Sequence, residues 1–290
     1  MKAVAELAMK GRFNALVVAG IAAFIPITFW ISAALVGLVT LRRGQFEGLK
    51  ILAGAYIGAI AGAYFFGSLA MFTLVLWSSP FTLVLALVLR STSSWVWVFL
   101  ANLVLALLAA ALVNLVFAEQ IASFSQTLAS ELQALEQQTI FDQVILNVVE
   151  GNALATMMVA GISDMSVYVL LLARYWQASL YNPGGFRKEF HALRLPPWFI
   201  GLLGVVGVLV SFWSVWALEP VFLPLFIAGI ALVHGLVAKR DMGGPWLAAF
   251  YMGLLLLLQI LVPILLLIVI IDSWLDIRSR VPEPDDKINS

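Results

Sequence analysis

The sequence predicts an all-α protein: a polytopic transmembrane helix bundle with eight or nine membrane segments and a broken first segment. Three observations carry this reading. The chain is 63% hydrophobic and only 11% charged over 290 residues, with a mean hydropathy of +1.03. A soluble domain is about 45–50% apolar and about 25% charged, so this excess is more than a water-facing protein can bury. The apolar residues come in long runs of helix-spanning length. The lysines and arginines fall in alternate loops between those runs.

The first apolar run covers 14–41, with Pro26 near its middle. Proline removes a backbone donor and breaks or kinks a helix, so the run is either one bent span or two half-helices folded as a hairpin. Spans follow at 49–66, 68–89 and 95–117, the second of them interrupted by Trp77-Ser78-Ser79-Pro80. Residues 119–150 then carry Glu119, Glu131, Glu136, Asp142 and Glu150 and no lysine or arginine. Ile121, Phe124, Leu128, Leu132 and Leu135 recur at steps of three and four, the stripe of an amphipathic helix. A second apolar face runs from Ile140 to Val149. Spans resume at 154–173, 199–216, 221–237 and 246–271, and a polar tail with two prolines is expected to be disordered. The organisation is therefore an interfacial segment (1–13), a first bundle half (14–118), an acidic amphipathic insertion (119–151), a second bundle half (152–280) with a loop at 174–197, and the tail (281–290).

Orientation follows from lysine and arginine near span ends, which mark the cytoplasmic side. Arg42, Arg43, Lys50, Arg90, the 174–194 loop and Lys239-Arg240 all fall on one side with these spans. The acidic insertion and Glu219 fall on the other, periplasmic side. A cytoplasmic N-terminus requires the hairpin and nine segments; one bent span gives eight. Either count sends the C-terminus outward, against the charges of Arg278 and Arg280. Lys2, Lys10 and Arg12 before an apolar run resemble a signal peptide. The run continues to Thr40 before Arg42 appears, which suits a retained anchor in a bacterial-type inner membrane.

Several functions are disfavoured. Net charge is zero, so no basic field attracts nucleic acid. With no cysteine and two histidines, neither a thiolate site nor a zinc site is readily built. There is no phosphate loop, nucleophile elbow or metalloprotease helix, so no enzyme and no cofactor is expected.

A few polar residues sit where lipid disfavours them. Asp164, within Gly161-Ile162-Ser163-Asp164-Met165-Ser166, is the acid nearest a span centre. It is a proton, cation or substrate site, or an acid joining helices through hydrogen bonds. Asn102 and Asn114 share one span, and His234 and Gln259 lie on consecutive late spans. Each either lines a cavity or bonds a neighbouring helix. Gly54, Gly58 and Gly62 form a small-residue face suited to close packing within the chain or to dimerisation. In the loop, Arg174, Trp176, Phe186, Arg187, Lys188, Phe190 and Arg194 form an aromatic and basic set. It either rests on anionic lipid or docks a partner.

The stretch Arg174–Leu195, the His234-Gly235-Leu236 region and the closing Ile271-Asp272-Ser273-Trp274-Leu275-Asp276-Ile277-Arg278 resemble a family of bacterial membrane proteins classed as a domain of unknown function, often encoded near ribosomal-protein genes. That family has been compared with the substrate-binding membrane subunits of energy-coupling-factor importers. The resemblance implies a bacterial membrane location and class more than an activity; the function expected is a transport-related membrane component that binds a small solute or cooperates with a second membrane protein. The alternative is a non-transporting scaffold that uses the acidic insertion and the basic loop as contact surfaces.

Overall fold

The computed structural model describes residues 2–67, 69–134 and 153–281, and every regular element among them is helical. In chain order these are α1 (Lys2–Met9), α2 (Arg12–Phe24), α3 (Phe29–Arg43), α4 (Gln45–Phe66), α5 (Leu69–Thr92), α6 (Trp95–Val116), α7 (Ala118–Ala134), α8 (Ala153–Tyr181), α9 (Gly185–His191), α10 (Pro197–Ser211), α11 (Glu219–Lys239), α12 (Gly244–Leu256), α13 (Leu258–Leu275) and α14 (Ile277–Arg280). Six helices are long and apolar enough to cross a membrane: Gln45–Phe66, Phe72–Thr92, Trp95–Val116, Ala153–Tyr181, Val215–Lys239 and Leu258–Leu275. The second half of the acidic insertion, with Glu136, Asp142, Glu150 and the second apolar face, lies outside the described residues, as does the tail beyond Val281.

The first apolar run is a hairpin. Pro26–Thr28 forms a 3-10 turn between α2 and α3, and the Arg43 guanidinium at the end of α3 donates to the Met9 carbonyl before α2 at 3.3 Å. The turn satisfies its own loose carbonyls. Thr28 Oγ1 donates to Ala22 O at 2.8 Å and to Ile25 O at 3.1 Å, and the Trp30 indole donates to Ile27 O at 2.9 Å. Chain reversal near lipid requires such internal pairing, because no water is there to substitute. α3 is then wrapped by α2, α4, α5 and α8. Every residue from Ser32 to Leu41 is buried, so α3 is the centre of the bundle.

The glycine face of α4 packs within the chain. Leu16, Gly20 and Phe24 of α2 lie against Gly54, Gly58 and Gly62 in parallel register. A methyl group on Gly58 would overlap the Gly20 carbonyl, and one on Gly62 the Phe24 carbonyl.

Two sequence expectations are corrected. The interruption expected at Trp77–Pro80 is absent: α5 runs unbroken through Pro80. Proline leaves the carbonyl four residues earlier without its donor. Here that carbonyl is Leu76 O, and the Tyr56 hydroxyl of α4 donates to it at 3.0 Å. The 246–271 run, by contrast, is two helices. They meet at Leu257 in a bend sharp enough that a methyl on Gly253 would lie 3.2 Å from Leu261 Cδ1. α12 then reaches His234 through Tyr251, while Arg278 of α14, just beyond α13, returns to the neighbouring Gly235. The cause is local: Leu257 leaves helical geometry (φ −123°, ψ 36°) while both flanking helices stay apolar. The described end of the chain, Ile277–Val281, therefore lies at the basic end of the molecule, not the opposite one expected for the C-terminus. Arg278 donates to His191 O at 2.9 Å, Arg194 pairs with Asp276 at 3.2 Å, and Lys239 donates to Arg278 O at 2.9 Å.

Candidate functional site

The polar residues expected inside the spans fall into separate places. Ser163 of α8 donates to Asn102 Oδ1 of α6 at 2.9 Å, and both residues are buried. Asn114, three turns further along α6, donates to Thr156 Oγ1 of α8 at 3.2 Å and to Ala110 O. Ser166 bonds Ile162 O at 2.8 Å and crosses to Ser78 O of α5 at 3.3 Å. Side-chain bonds thus tie α8 to both α5 and α6. Asp164 lies beside the Asn102 amide with Glu219 in its surroundings. Its Oδ1 and Asn102 Nδ2 are both buried, and among the described residues neither has a hydrogen-bond partner. Tyr168, one turn on, is 42% exposed.

Asp164→Asn is expected to leave folded yield and melting temperature nearly unchanged, because the amide keeps an acceptor opposite Asn102. Asp164→Leu removes the acceptor that a small side-chain rotation would bring onto that amide and is expected to lower stability by about 1 kcal/mol, read from thermal unfolding in detergent. Equal stability of the two variants would refute a helix-joining role for the carboxyl.

A cavity of about 590 Å³ lies at the end of the molecule away from the lysines and arginines. α5, α6, α7 and α8 form its walls, with Trp77, Phe81, Val113, Phe124 and Met158 among the lining residues. Thr73 and Gln120 are its polar side chains. The cavity exists because the α2–α3 hairpin is short. Gly37 packs on Ala173, so α8 extends well past the start of α3. α7 follows α6 after a break at Phe117 and lays Ile121 and Phe124 over the gap. Of the rest of the expected α7 stripe, the side chains of Leu128, Leu132 and Leu135 lie outside the described set. Asp164, Asn102 and Gln259 line none of the described cavities; Gln259 is exposed beside the Leu257 bend.

At the basic end the loop is docked on its own bundle. Glu189 of α9 accepts two bonds from Arg174 (3.0 Å from Nε, 2.7 Å from Nη2) and one from the Trp95 indole of α6 at 2.6 Å. Arg174 also holds Gln177 at 2.6 Å. Trp176 is buried at 1% exposure. Phe186 stacks on Phe190 at 5.7 Å, and Phe190 meets the His234 ring edge-on at 5.8 Å. Arg194 donates to the Asp272 and Ser273 carbonyls at 3.1 and 2.9 Å. Asp272, 3% exposed, accepts from Ile277 N at 2.8 Å. The three sequence segments singled out above, distant along the chain, therefore form one network. His234 belongs to it, its Nε2 2.8 Å from the Tyr251 hydroxyl. Burial, with Arg187, His234 and Arg278 nearby, holds the His191 imidazole below its ordinary pKa, so it is neutral at neutral pH. Sequence reasoning missed Glu189, Trp95 and Asp272. Glu189 could have been flagged as a lone acid among basic neighbours; Asp272 had no such signal.

Among the described residues no group of three or more histidine or acidic side chains could hold a metal. The helices and their apolar surfaces define an integral, multi-pass α-helical membrane protein. No known protein family, curated protein or solved structure matches the chain.

Proposed function

We propose that this chain is an inner-membrane component that captures a small apolar or amphiphilic molecule from the bilayer in the cavity between α5, α6, α7 and α8. The cavity carries the reading. Its volume falls within the range of about 300–1,000 Å³ typical of ligand pockets, and its walls are almost wholly apolar. In a transport setting this is the solute-capture step. The resemblance to importer subunits supplies the expectation of a membrane partner. The scaffold alternative needs a free loop surface. Five of the seven loop residues considered for docking (Arg174, Trp176, Phe186, Phe190 and Arg194) are engaged within the chain.

In the membrane, the six long helices and the shorter α2, α3, α10 and α12 form ten segments in alternating directions, with both termini in the cytoplasm. Lysines and arginines then face inward, and the cavity opens in the periplasmic half. Reporter fusions at Gly185 and after Arg280 are expected to read cytoplasmic, and one at Gln137 periplasmic. A periplasmic signal after Arg280 would refute this topology.

The binding experiment uses a fluorescent acyl-chain probe with the purified protein in nanodiscs. The wild type is expected to bind it, and Val113→Trp, which fills the cavity, to weaken binding by about tenfold or more without loss of fold. Absence of binding to the wild type, or unchanged binding to the filled variant, would overturn the proposal.

A further inference from the structure

A second cleft lies at the opposite, basic end and is independent of the apolar cavity. Its volume is about 310 Å³. α9 contributes Arg187 and His191, the end of α11 contributes His234, and the turn into α12 contributes Asp241 and the Gly243-Gly244 backbone. Most charged groups at this end are satisfied within the chain: Arg12 with Glu47, Arg174 with Glu189, and Arg194 with Asp276. Arg187 and Asp241 are different. Both are exposed and both line the cleft, yet among the described residues neither makes an ion pair with the other or with any third group.

A cation and an anion on the walls of one cleft, unbridged, suit a ligand that carries both charges. A guanidinium prefers a phosphate, to which it can donate in parallel. A carboxylate prefers an ammonium. Neutral His191 lines the same cleft as a further donor, and His234 is positioned by Tyr251. We propose that this cleft binds a phosphoethanolamine group, with Arg187 on the phosphate and Asp241 on the ammonium, as the headgroup of a zwitterionic aminophospholipid of the cytoplasmic leaflet.

The surroundings favour a lipid over a free solute. α12 starts at the cleft and is apolar and exposed along its length, with Trp246 near its start at 58% exposure and Met252 and Leu255 on one face further along at 56% and 75%. Exposed apolar side chains beside the cleft offer contact surface for acyl chains. Trp246 and Tyr251 are side chains typical of headgroup depth.

The test is lipid retention measured by native mass spectrometry on protein extracted from nanodiscs containing equal phosphatidylethanolamine and phosphatidylglycerol. The wild type is expected to retain phosphatidylethanolamine over phosphatidylglycerol by about tenfold, and Arg187→Gln and Asp241→Asn each to lower that retention by about tenfold. Arg187→Lys, which keeps the charge, retains most of the lipid and guards against a folding artefact, as does an unchanged melting temperature. Arg240→Gln, outside the cleft, serves as a control and leaves retention as in the wild type. Equal retention of the two lipids, or wild-type retention by both Gln and Asn variants, would overturn the site. Binding of soluble glycerophosphoethanolamine with no lipid retained would assign the cleft to a free solute and overturn the lipid assignment.

Discussion

Substitution of Glu189 by alanine is expected to release the 182–195 loop from the bundle and lower stability by about 2–3 kcal/mol. Two groups lose their acceptor at once: the Arg174 guanidinium and the Trp95 indole. Removing one partner of a fully buried ion pair costs about 3–5 kcal/mol, because the other charge stays behind unpaired. Arg174 and Glu189 are 26% and 23% exposed, so water screens part of that penalty and the ion-pair share is placed at about 2 kcal/mol. The orphaned indole adds about 1 kcal/mol. Glu189→Gln keeps an acceptor for the indole and is expected to cost about half as much. Thermal unfolding measures the energy, and limited trypsin digestion measures the release. In the folded chain the loop is anchored on both flanks, by Glu189 and by Arg194 on the α13 carbonyls. Once Glu189 is lost, cleavage after Arg187 and Lys188 accelerates. Unchanged melting together with unchanged digestion of Glu189→Ala would mean that the loop is held by other contacts.

That network also shows where sequence reasoning stops. Lipid-length apolar runs and one-sided lysines and arginines are written in the chain, and the all-helical membrane class follows from them directly. The hairpin at Pro26 was legible as one of two options, since proline marks a break without stating its angle. The reversal at Leu257 was not legible: it falls inside Leu254–Leu258, where no turn residue, charge or glycine stands at the bend. The only hint was the pair Arg278 and Arg280, whose charges argued for the basic end and were outweighed by the span count. Ser78-Ser79-Pro80 misled in the opposite direction. The signal of a break was real, but its consequence was absorbed by Tyr56, twenty residues earlier on another helix. Asp164 stood out because an acid in a span is rare. Its neighbour Asn102 was noticed separately, and pairing the two needed the packing of α6 on α8. Glu189 and Trp95 are 94 residues apart, so no local pattern could join them.

Gly58 carries the other large expected effect. Replacement by leucine should lower stability by about 3 kcal/mol or more, the upper part of the range for overpacking, because the atoms in the way belong to backbone and cannot rotate aside. The Cβ position of residue 58 is already occupied by the Gly20 carbonyl, and Gly54 and Gly62 meet Leu16 and Phe24 at the same spacing. α2 must therefore tilt off α4 along its whole length. Because α2 and α3 are joined only by the Pro26–Thr28 turn, the displacement passes to the buried α3 at the bundle centre. Gly58→Ala tests the same contact with a single methyl group and is expected to cost about 1–3 kcal/mol. Gly204→Ala on α10 is the control: nothing lies within 4 Å of its Cβ position. Alanine there is expected to be neutral or to stabilise by up to about 1 kcal/mol through helix propensity. Melting temperature and the monodisperse fraction on size exclusion report each variant. If the glycine face served dimerisation instead, Gly58→Leu would convert a dimer to a monomer at an unchanged melting temperature. That outcome would show that the α2–α4 contact does not constrain the fold.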